Sequence, residues 1–278
     1  MREFLFITAT DGSDRSRAHL ADLFESIDRQ AVEGAMIVVC RGAQPPLPAA
    51  VGAVAVKVVE CPLQTGLSKV RNLALAHAEQ TGLIDRAALI AFPDDDCSYP
   101  AGVLASVDQR MGGTTTVVAG AYAPDGATFD RARFPTGSRP LGARLVMQVV
   151  SSNNVFFAAS AVREIGRFDE RFGLGAEFGA AEDCDFTLRI LELGDDGIYD
   201  SAIVVQHPYK PGRPAEYFTG NVALLGKHAG SSARVKLLLA RRIVLGLALM
   251  AKREITPRQF KDALRGAREM RRAFKSDH

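Results

Sequence analysis

The sequence predicts an α/β fold in which helices flank a mostly parallel central sheet. Short apolar runs typical of buried strands alternate with longer segments whose apolar residues recur at helical spacing. Strands that alternate with helices form parallel sheets, because each crossover helix packs back onto the sheet. The chain has 278 residues, 47% hydrophobic and 24% charged, which suits one large globular domain with an appendage.

The elements follow one another clearly except in one region. Residues 123–145 are rich in Gly, Pro and Arg and read as a long loop, and loops of this length are usually functional or disordered. From about Pro214 the pattern is purely helical, so we expect a main domain of residues 1–212 and a helical extension of residues 213–278. The predicted strands are 3–10, 35–40, 54–61, 87–92, 153–160 and 197–207, and the predicted helices are 16–32, 66–82 and 181–194.

Charge is distributed unevenly along the chain. The whole chain carries a net charge of +2, but residues 227–278 contain fourteen Lys and Arg against four Asp and Glu, a net charge of +10. The first 226 residues therefore carry −8. This asymmetry indicates an anionic surface as the partner of the basic extension.

The cysteines and the N-terminus predict a cytoplasmic location. Cys40, Cys61, Cys97 and Cys184 are scattered without metal-binding spacing, which favours a reducing compartment. The apolar run near the N-terminus is too short for a signal peptide. No uncharged apolar stretch reaches the length of about 18 residues that a membrane-spanning helix requires.

Three adjacent aspartates follow the predicted strand 87–92. Asp94, Asp95 and Asp96 stand where the carboxyl end of a strand meets the edge at which α/β sheets bind ligands. Hard carboxylate oxygens suit Mg²⁺ or Mn²⁺, which are often shared with substrate phosphates. A solvated acidic turn is the alternative interpretation.

Two further charged segments fit such a site. Lys69 and Arg71 lie near the start of a predicted helix, where anions are favoured, although an ordinary surface helix would also carry them. Glu182, Asp183 and Asp185 open another helix after a Gly-rich segment. Helix capping explains acidic residues there, but three exceed what a cap requires, and one is a candidate general base.

His207 ends the last predicted strand, immediately before a proline. A single histidine is often structural. Its imidazole would also be an acceptable third ligand for Mn²⁺.

Taken in order, these segments resemble family 2 glycosyltransferases, whose fold is the GT-A fold. The resemblance covers roughly residues 1–210, and it depends on the ordered set of an aspartate triplet, a Gly-rich segment with Glu-Asp, and a histidine. The segments that carry it are TAT, GLSKVRNLALAHA, FPDDDCSYP, SSNNVFF, FDERFGLGAEFGAAEDCDFTLRI and QHP.

The resemblance implies an inverting transferase that uses a nucleoside-diphosphate sugar and Mn²⁺ or Mg²⁺. Residues 1–120 would form the nucleotide-sugar half and residues 121–212 the acceptor half. The general base would be Asp183, assisted by Glu182. The implied metal ligands are Asp94, Asp96 and His207; the donor-binding residues are Thr8, Thr10, Lys69, Arg71, Asn72, Asp94, Asp95, Ser152 and Asn153; and the acceptor-binding residues are Gly175, Glu177 and Asp185.

One position departs from the pattern of the family. Members commonly carry an aspartate at the end of the second strand, where it contacts the base, whereas this chain has Cys40 and Arg41. A UDP-sugar is the expected donor, but another base stays open. The expected acceptor is a glycan or a lipid-linked glycan, as in the assembly of bacterial cell-surface polysaccharide.

The basic extension contains an amphipathic helix within residues 231–253. Five basic residues share one side, and the opposite side carries apolar residues. Such a helix can lie in a membrane interface, which would place the protein on the inner face of the plasma membrane. Packing against the main domain or against a second subunit of a homo-oligomer is the alternative. The apolar residues assigned to the membrane-facing side are Leu239, Ile243, Val244, Leu247 and Met250.

Other functions compete with glycosyl transfer. A sugar-phosphate nucleotidyltransferase shares the sheet architecture, but usually carries a Gly-rich, basic loop after the first strand, and TATDGSDRS has a single glycine there. A non-catalytic nucleotide-sugar binding subunit is the second alternative. Few aromatic residues accompany the basic charge of the extension, so we expect no nucleic-acid partner.

Overall fold

The computed structural model describes residues 1–42, 44–209 and 213–276. In this part of the chain, nine strands form one sheet in the order β3-β4-β2-β1-β5-β8-β6-β9-β7. The strands are β1 (Phe4–Thr10), β2 (Glu33–Arg41), β3 (Ala50–Val51), β4 (Ala53–Cys61), β5 (Leu89–Ala91), β6 (Thr115–Ala123), β7 (Ser138–Pro140), β8 (Val155–Ala158) and β9 (Asp196–Gln206).

Most strands of the sheet run in one direction. β1 pairs in parallel with β2 and β5, β2 with β4, and β6 with β9. β8 is antiparallel to both of its neighbours, and β3 and β7 form antiparallel edges. The structure therefore confirms the predicted α/β fold with a mostly parallel sheet.

Helices connect and cover the strands. Serine side chains cap two of them, since Ser13 accepts from the Ser16 amide and Ser232 accepts from the Val235 amide. Short 3₁₀ turns span Ser152–Asn154 and His228–Gly230. The helices are α1 (Asp14–Asp28), α2 (Leu67–Gln80), α3 (Leu83–Arg86), α4 (Val103–Arg110), α5 (Ala143–Val149), α6 (Ala159–Ile165), α7 (Glu182–Glu192), α8 (Pro214–Lys227), α9 (Ala233–Ala251) and α10 (Pro257–Ser276).

The central strands form the core. Residues 4–7 of β1 and 36–40 of β2 are continuously buried rather than alternately exposed. Such runs are expected where helices cover both faces of a parallel sheet.

The sequence missed several elements of the second half. The stretch 123–145, predicted as a loop, contains the edge strand β7 and the start of α5, and the strand β6 was not predicted. β7 has only three residues, all exposed, so it carries no apolar pattern. Its strand conformation comes from pairing with β9, which only the folded chain supplies.

Residues 214–276 are helical, as predicted, and they build a second, smaller core. Phe218, Val222, Ile255 and Ala263 form its centre, with the ring of Phe260 stacked on Phe218. The predicted domain boundary adjoins residues 210–212, which lie outside the described residues. The division into residues 1–212 and 213–278 stays a prediction.

The amphipathic helix of the extension is α9, but its predicted apolar face is divided. Leu239 and Met250 pack against the smaller core, whereas Val244 and Leu247 are exposed. The prediction that these residues share one membrane-facing side was therefore wrong, because intramolecular packing uses part of that side. No helix among the described residues combines the length and the apolar content that crossing a bilayer demands.

The close contact between α8 and α10 can be tested at Gly226. A Cβ at this position would lie 2.4 Å from the carbonyl oxygen of Ala267, whereas a Cβ at Gly230 would meet nothing within 4 Å. We expect Gly226→Ala to lower the free energy of unfolding by about 1 to 3 kcal/mol through overpacking. Gly230→Ala is the matched control. Equal denaturation midpoints for the two variants would contradict this packing.

Candidate active site

A cleft of about 630 Å³ opens at the carboxyl ends of β1 and β5. Its volume lies in the range of small-molecule sites, and its position is the usual one in α/β sheets. The cleft brings together many of the residues predicted from the sequence. The predicted residues that line it are Thr8, Arg71, Asp94, Asp95, Ser152, Asn153, Glu182, Asp183 and His207.

One end of the cleft holds a candidate metal site formed by Asp94, Asp96 and His207. Ligand atoms of these three residues all lie within 4.8 Å of one another. His207 Nε2 is 3.2 Å from Asp96 Oδ1 and 3.6 Å from Asp94 Oδ2. The imidazole is buried, yet neither ring nitrogen is aligned for a hydrogen bond with a described residue. A buried imidazole nitrogen beside two carboxylates offers a donor set that fits a divalent cation.

The sheet brings these ligands together from distant parts of the sequence. The aspartates follow β5, and His207 follows β9. Ser98 and Gln206 exchange two backbone hydrogen bonds of 2.9 Å, which fasten the aspartate turn to the end of β9. The His207 amide also donates to the Ala123 carbonyl at 2.8 Å.

Arg71 is buried among carboxylates on the other side of the aspartate turn. Its guanidinium Nη1 lies 2.7 Å from Asp183 Oδ1 and 3.6 Å from Glu182 Oε1, and Nη2 lies 4.0 Å from Asp94 Oδ1. The rings of Phe168 and Phe92 flank it. Since arginine stays charged, it holds the aspartate turn and the start of α7 together.

The N-terminus of α7 presents Glu182 and Asp183 to the cleft. The residue before the helix, Ala181, has a left-handed backbone with φ of 81° and supplies no side-chain cap. Asp183 Oδ2 accepts from the Ser152 amide at 2.9 Å, while Oδ1 accepts from Arg71. Both carboxylate oxygens of Asp183 are thus fixed in position.

The surroundings of these acids favour proton uptake. Burial raises the pKa of Glu182, and the charge of Asp183 raises it further, against the opposing effect of Arg71. Burial likewise raises the pKa of Asp183, although Arg71 lowers it in part. A carboxylate whose pKa is raised is a better general base near neutral pH.

The 3₁₀ turn Ser152–Asn154 supports the aspartate turn. Asn153 Oδ1 accepts from the Asp94 amide at 3.0 Å, and the Ser152 hydroxyl donates to Asp94 Oδ1 at 3.2 Å. The Asn154 amide group donates to the Gly120 carbonyl of β6 at 2.6 Å, which anchors the turn to the sheet. The structure therefore shows Ser152 and Asn153 positioning Asp94, and their contact with the donor sugar stays a prediction.

Asp185 does not reach the cleft. Two residues rotate a helix by about 200°, so Asp185 faces away from Asp183. Its side chain is 1% exposed and is paired with Lys227 Nζ at 2.7 Å, His228 Nε2 at 3.0 Å and Arg189 Nε at 3.0 Å. The predicted contact with an acceptor is corrected accordingly, because three basic groups already occupy this carboxylate.

Other predicted residues also lie outside the cleft lining. Lys69 and Glu177 are exposed, and Gly175 packs against the backbone of Gly66. Asn72 donates to the Phe168 carbonyl and accepts from its amide. Thr10 accepts from the Gly12 amide in the turn after β1. These residues have local structural partners, and nothing in the described structure brings them to the cleft.

The cleft also contains residues that the sequence did not single out. Arg41 of β2 lines it, and its Nε atom is buried with no hydrogen-bond partner among the described residues, as is Thr8 Oγ1 of the adjacent β1. Arg133 lies over the ring of Tyr122 at 4.8 Å. The Arg-rich composition of residues 123–145 was the available signal for Arg133. The further missed residues are Tyr122, Tyr209, Arg213, Tyr217 and Asn221.

A second buried network connects α7 to the C-terminal helices. Lys227 Nζ lies 2.9 Å from Asp169 in addition to its contact with Asp185. His228 Nδ1 lies 2.8 Å from Glu192 Oε1. Burial by itself would lower the pKa of His228, but hydrogen bonds and charges from Asp185 and Glu192 outweigh burial and raise it.

Comparisons with known proteins support the fold. No family model matches the chain, and no curated protein matches it by sequence. The structure is similar to TarS of S. aureus with a TM-score of 0.60 and 15% identity, over 87% of this chain and 41% of that one. It is similar to the TarS fragment 1-349 with a TM-score of 0.65 and 16% identity, over 98% of this chain and 83% of that one.

A third similar structure is the mannosyltransferase PcManGT from Pyrobaculum calidifontis in complex with GDP-Man and Mn²⁺. Its TM-score is 0.62 at 16% identity, over 98% of this chain and 87% of that one. The chain spans 41% of the length of the longer TarS structure. At these identities the likeness establishes the fold, and the chain has the predicted GT-A fold.

The stabilisation that His228 provides should depend on pH. Because the folded-state pKa is raised, this stabilisation is complete below the ordinary His pKa of about 6.5 and is lost as pH rises through the folded-state pKa. We expect His228→Gln to cost about 1 to 3 kcal/mol near pH 6 and less at higher pH. Chemical denaturation across pH measures the difference, with His19→Gln as a control elsewhere. A difference that does not change with pH would contradict a charged imidazole.

Proposed function

We propose that this protein is a metal-dependent, inverting glycosyltransferase of the family 2 type. It would move a sugar from a nucleoside-diphosphate sugar to a hydroxyl acceptor. The observation that carries the proposal is the meeting of two groups in one cleft. Asp94, Asp96 and His207 form a cation-binding set, and Arg71 holds Asp183 on the other side of Asp94.

Asp183 is the proposed general base. It would accept the proton of the acceptor hydroxyl while that oxygen attacks the anomeric carbon from the face opposite the diphosphate. The new bond joins the acceptor oxygen to this carbon, the bond to the diphosphate breaks, and the diphosphate leaves with the electron pair. Contacts with Arg71 and the Ser152 amide fix the base, and burial raises the pKa of its carboxyl group.

Asp94, Asp96 and His207 would hold Mn²⁺ or Mg²⁺, in the manner of a DXD motif. The bound ion would neutralise the charge that develops on the departing diphosphate. Among solved structures of this fold, PcManGT is in complex with Mn²⁺, which supports this choice of ions. The nitrogen and oxygen donors also suit either ion.

The donor is proposed to be a nucleoside-diphosphate hexose. PcManGT is in complex with GDP-Man, and the sequence resemblance favours UDP, so both bases belong in a screen. Thr8 Oγ1 and Arg41 Nε, which have no hydrogen-bond partner in the described part of the chain, lie on adjacent strands and would offer hydrogen bonds to the nucleoside. Asp95 would lie beside the ribose. The proposed acceptor is a glycan or a lipid-linked glycan of the bacterial cell surface, reached from the cytoplasmic side.

Removal of the base should abolish turnover. We expect Asp183→Asn to reduce the rate of nucleoside diphosphate release by about 10² to 10⁴, the usual contribution of a general base. Release is measured from a panel of UDP- and GDP-hexoses with and without glycoside acceptors. Asp22→Asn, on the exposed side of α1, is the charge-matched control.

A measurement of donor binding separates a loss of catalysis from a loss of binding in this variant. Asp183→Asn should bind the nucleoside diphosphate as the wild type does in calorimetry, because the proposed metal ligands are untouched. Undiminished turnover in the variant would exclude Asp183 as the base. Release of pyrophosphate from a nucleoside triphosphate and a sugar phosphate would instead identify a nucleotidyltransferase, and binding without turnover would identify a non-catalytic subunit.

Metal dependence provides a separate prediction. In a thermal-shift measurement, UDP or GDP should raise the melting temperature in the presence of Mn²⁺ and lose most of this effect in EDTA, because a ligand that binds only the folded state stabilises it. Asp96→Asn should abolish the metal-dependent part, and Asp22→Asn should keep it. The same shift in EDTA as in Mn²⁺ would rule out this metal site.

A further inference from the structure

We propose that the outer face of α9 is a docking surface for an anionic membrane. This surface consists of Leu237, Val244, Leu245 and Leu247 with the basic residues Arg234 and Arg241. The surface does not depend on the proposed function. One consequence of the surface does depend on the proposed function: an acceptor attached to lipid would be presented close to the cleft.

The apolar part of the surface is unusually exposed. Leu237 is 61% exposed, Val244 65%, Leu245 43% and Leu247 51%. Leu237 and Val244 are seven residues apart, so they lie nearly above one another on the helix, and the other two flank them. Contiguous apolar side chains in contact with water commonly mark an interaction site.

Internal packing does not require these residues. The opposite side of α9 provides the buried Val235 and Gly246, and Leu239 and Met250 contact the smaller core. A Cβ at Gly246 would lie 2.4 Å from the Phe218 ring, so this inner side is closely packed. The helix therefore has two apolar sides, one of which is already covered by the chain itself.

The charge of the segment identifies the partner. Residues 228–253 contain six Lys and Arg and no Asp or Glu. Arg234 and Arg241 are exposed within about 60° of Leu237 around the helix, where long basic side chains can reach lipid headgroups while the leucines enter the acyl boundary. A second copy of this chain would present the same positive charge, which opposes pairing through this face, whereas anionic lipids attract it.

The helix that carries this surface also packs on two helices that line the cleft. α9 packs on α5 and on α8. Residues from both helices line the cleft, including Met147 of α5 and Tyr217 of α8. A membrane bound to α9 would therefore lie one helix away from two of the elements that form the cleft.

The test is co-sedimentation of the whole chain with vesicles. One set contains phosphatidylcholine alone, and the other contains phosphatidylcholine with phosphatidylglycerol. We expect the wild type to bind the anionic vesicles at least about tenfold more tightly than the neutral ones. The double variant Leu237→Gln/Val244→Gln should lose about tenfold in binding to anionic vesicles. The matched control is Leu63→Gln/Leu193→Gln, since both leucines are 50% exposed and lie on other elements.

A second variant tests the role of the positive charge. Arg234→Gln/Arg241→Gln should weaken binding to anionic vesicles and leave binding to neutral vesicles unchanged. Circular dichroism and melting curves establish that each variant folds. Absence of wild-type binding, or equal loss in the control variant, would overturn the proposal. So would a wild-type dimer in light scattering that becomes monomeric in Leu237→Gln/Val244→Gln. None of these measurements uses enzymatic activity, so this proposal and the proposed function can fail independently.

Discussion

The ion pairs of buried Arg71 impose the main constraint on the candidate site. A guanidinium that is buried away from water is costly unless carboxylates surround it, and the carboxylates in turn require a positive charge. Arg71 meets this requirement for Asp183, Glu182 and Asp94, which come from two separate segments of the chain. The described lining of the cleft also contains Arg41, Arg133 and Arg213. In the proposed function, a divalent cation held by Asp94, Asp96 and His207 would add a positive charge on the other side of the aspartate turn.

The same helix, α7, participates in two charged networks because of its periodicity. Its first two residues face the cleft, and Asp185, half a turn further on, faces Lys227 and His228. Burial would raise the pKa of Asp185, but His228, Arg189 and Lys227 lower it well below its usual range, so this carboxylate stays charged. The C-terminal helices thereby brace the helix that carries the proposed base. Their contribution to the site is orientation rather than contact with the reacting atoms.

The sequence predicted those site residues that follow the ends of strands. It did not predict residues whose position depends on which side of a helix they occupy or on contacts between distant elements. Asp94 and His207 meet because carboxyl ends of strands share one edge of the sheet, which the alternation of elements already implied. Asp185 was placed wrongly because composition does not reveal which side of a helix faces a cleft. Tyr217 reaches the cleft only through the packing of α8, which no local pattern indicates, and for Arg133 the only signal was the Arg-rich composition of residues 123–145.

The ambiguity of α9 has the same physical origin. Apolar residues cover more of this helix than one packing partner can bury, so the hydrophobic pattern alone does not show which residues face the chain and which face outward. The structure separates them, since Leu239 and Met250 turn inward while Leu237 and Val244 stay in water. A helix that is polar on its outer side would need no second partner. The outer side of α9 is apolar and basic, which is the composition of a helix that lies in a membrane interface. Because α8 and α10 already cover the inner side, the outer side stays exposed for such binding.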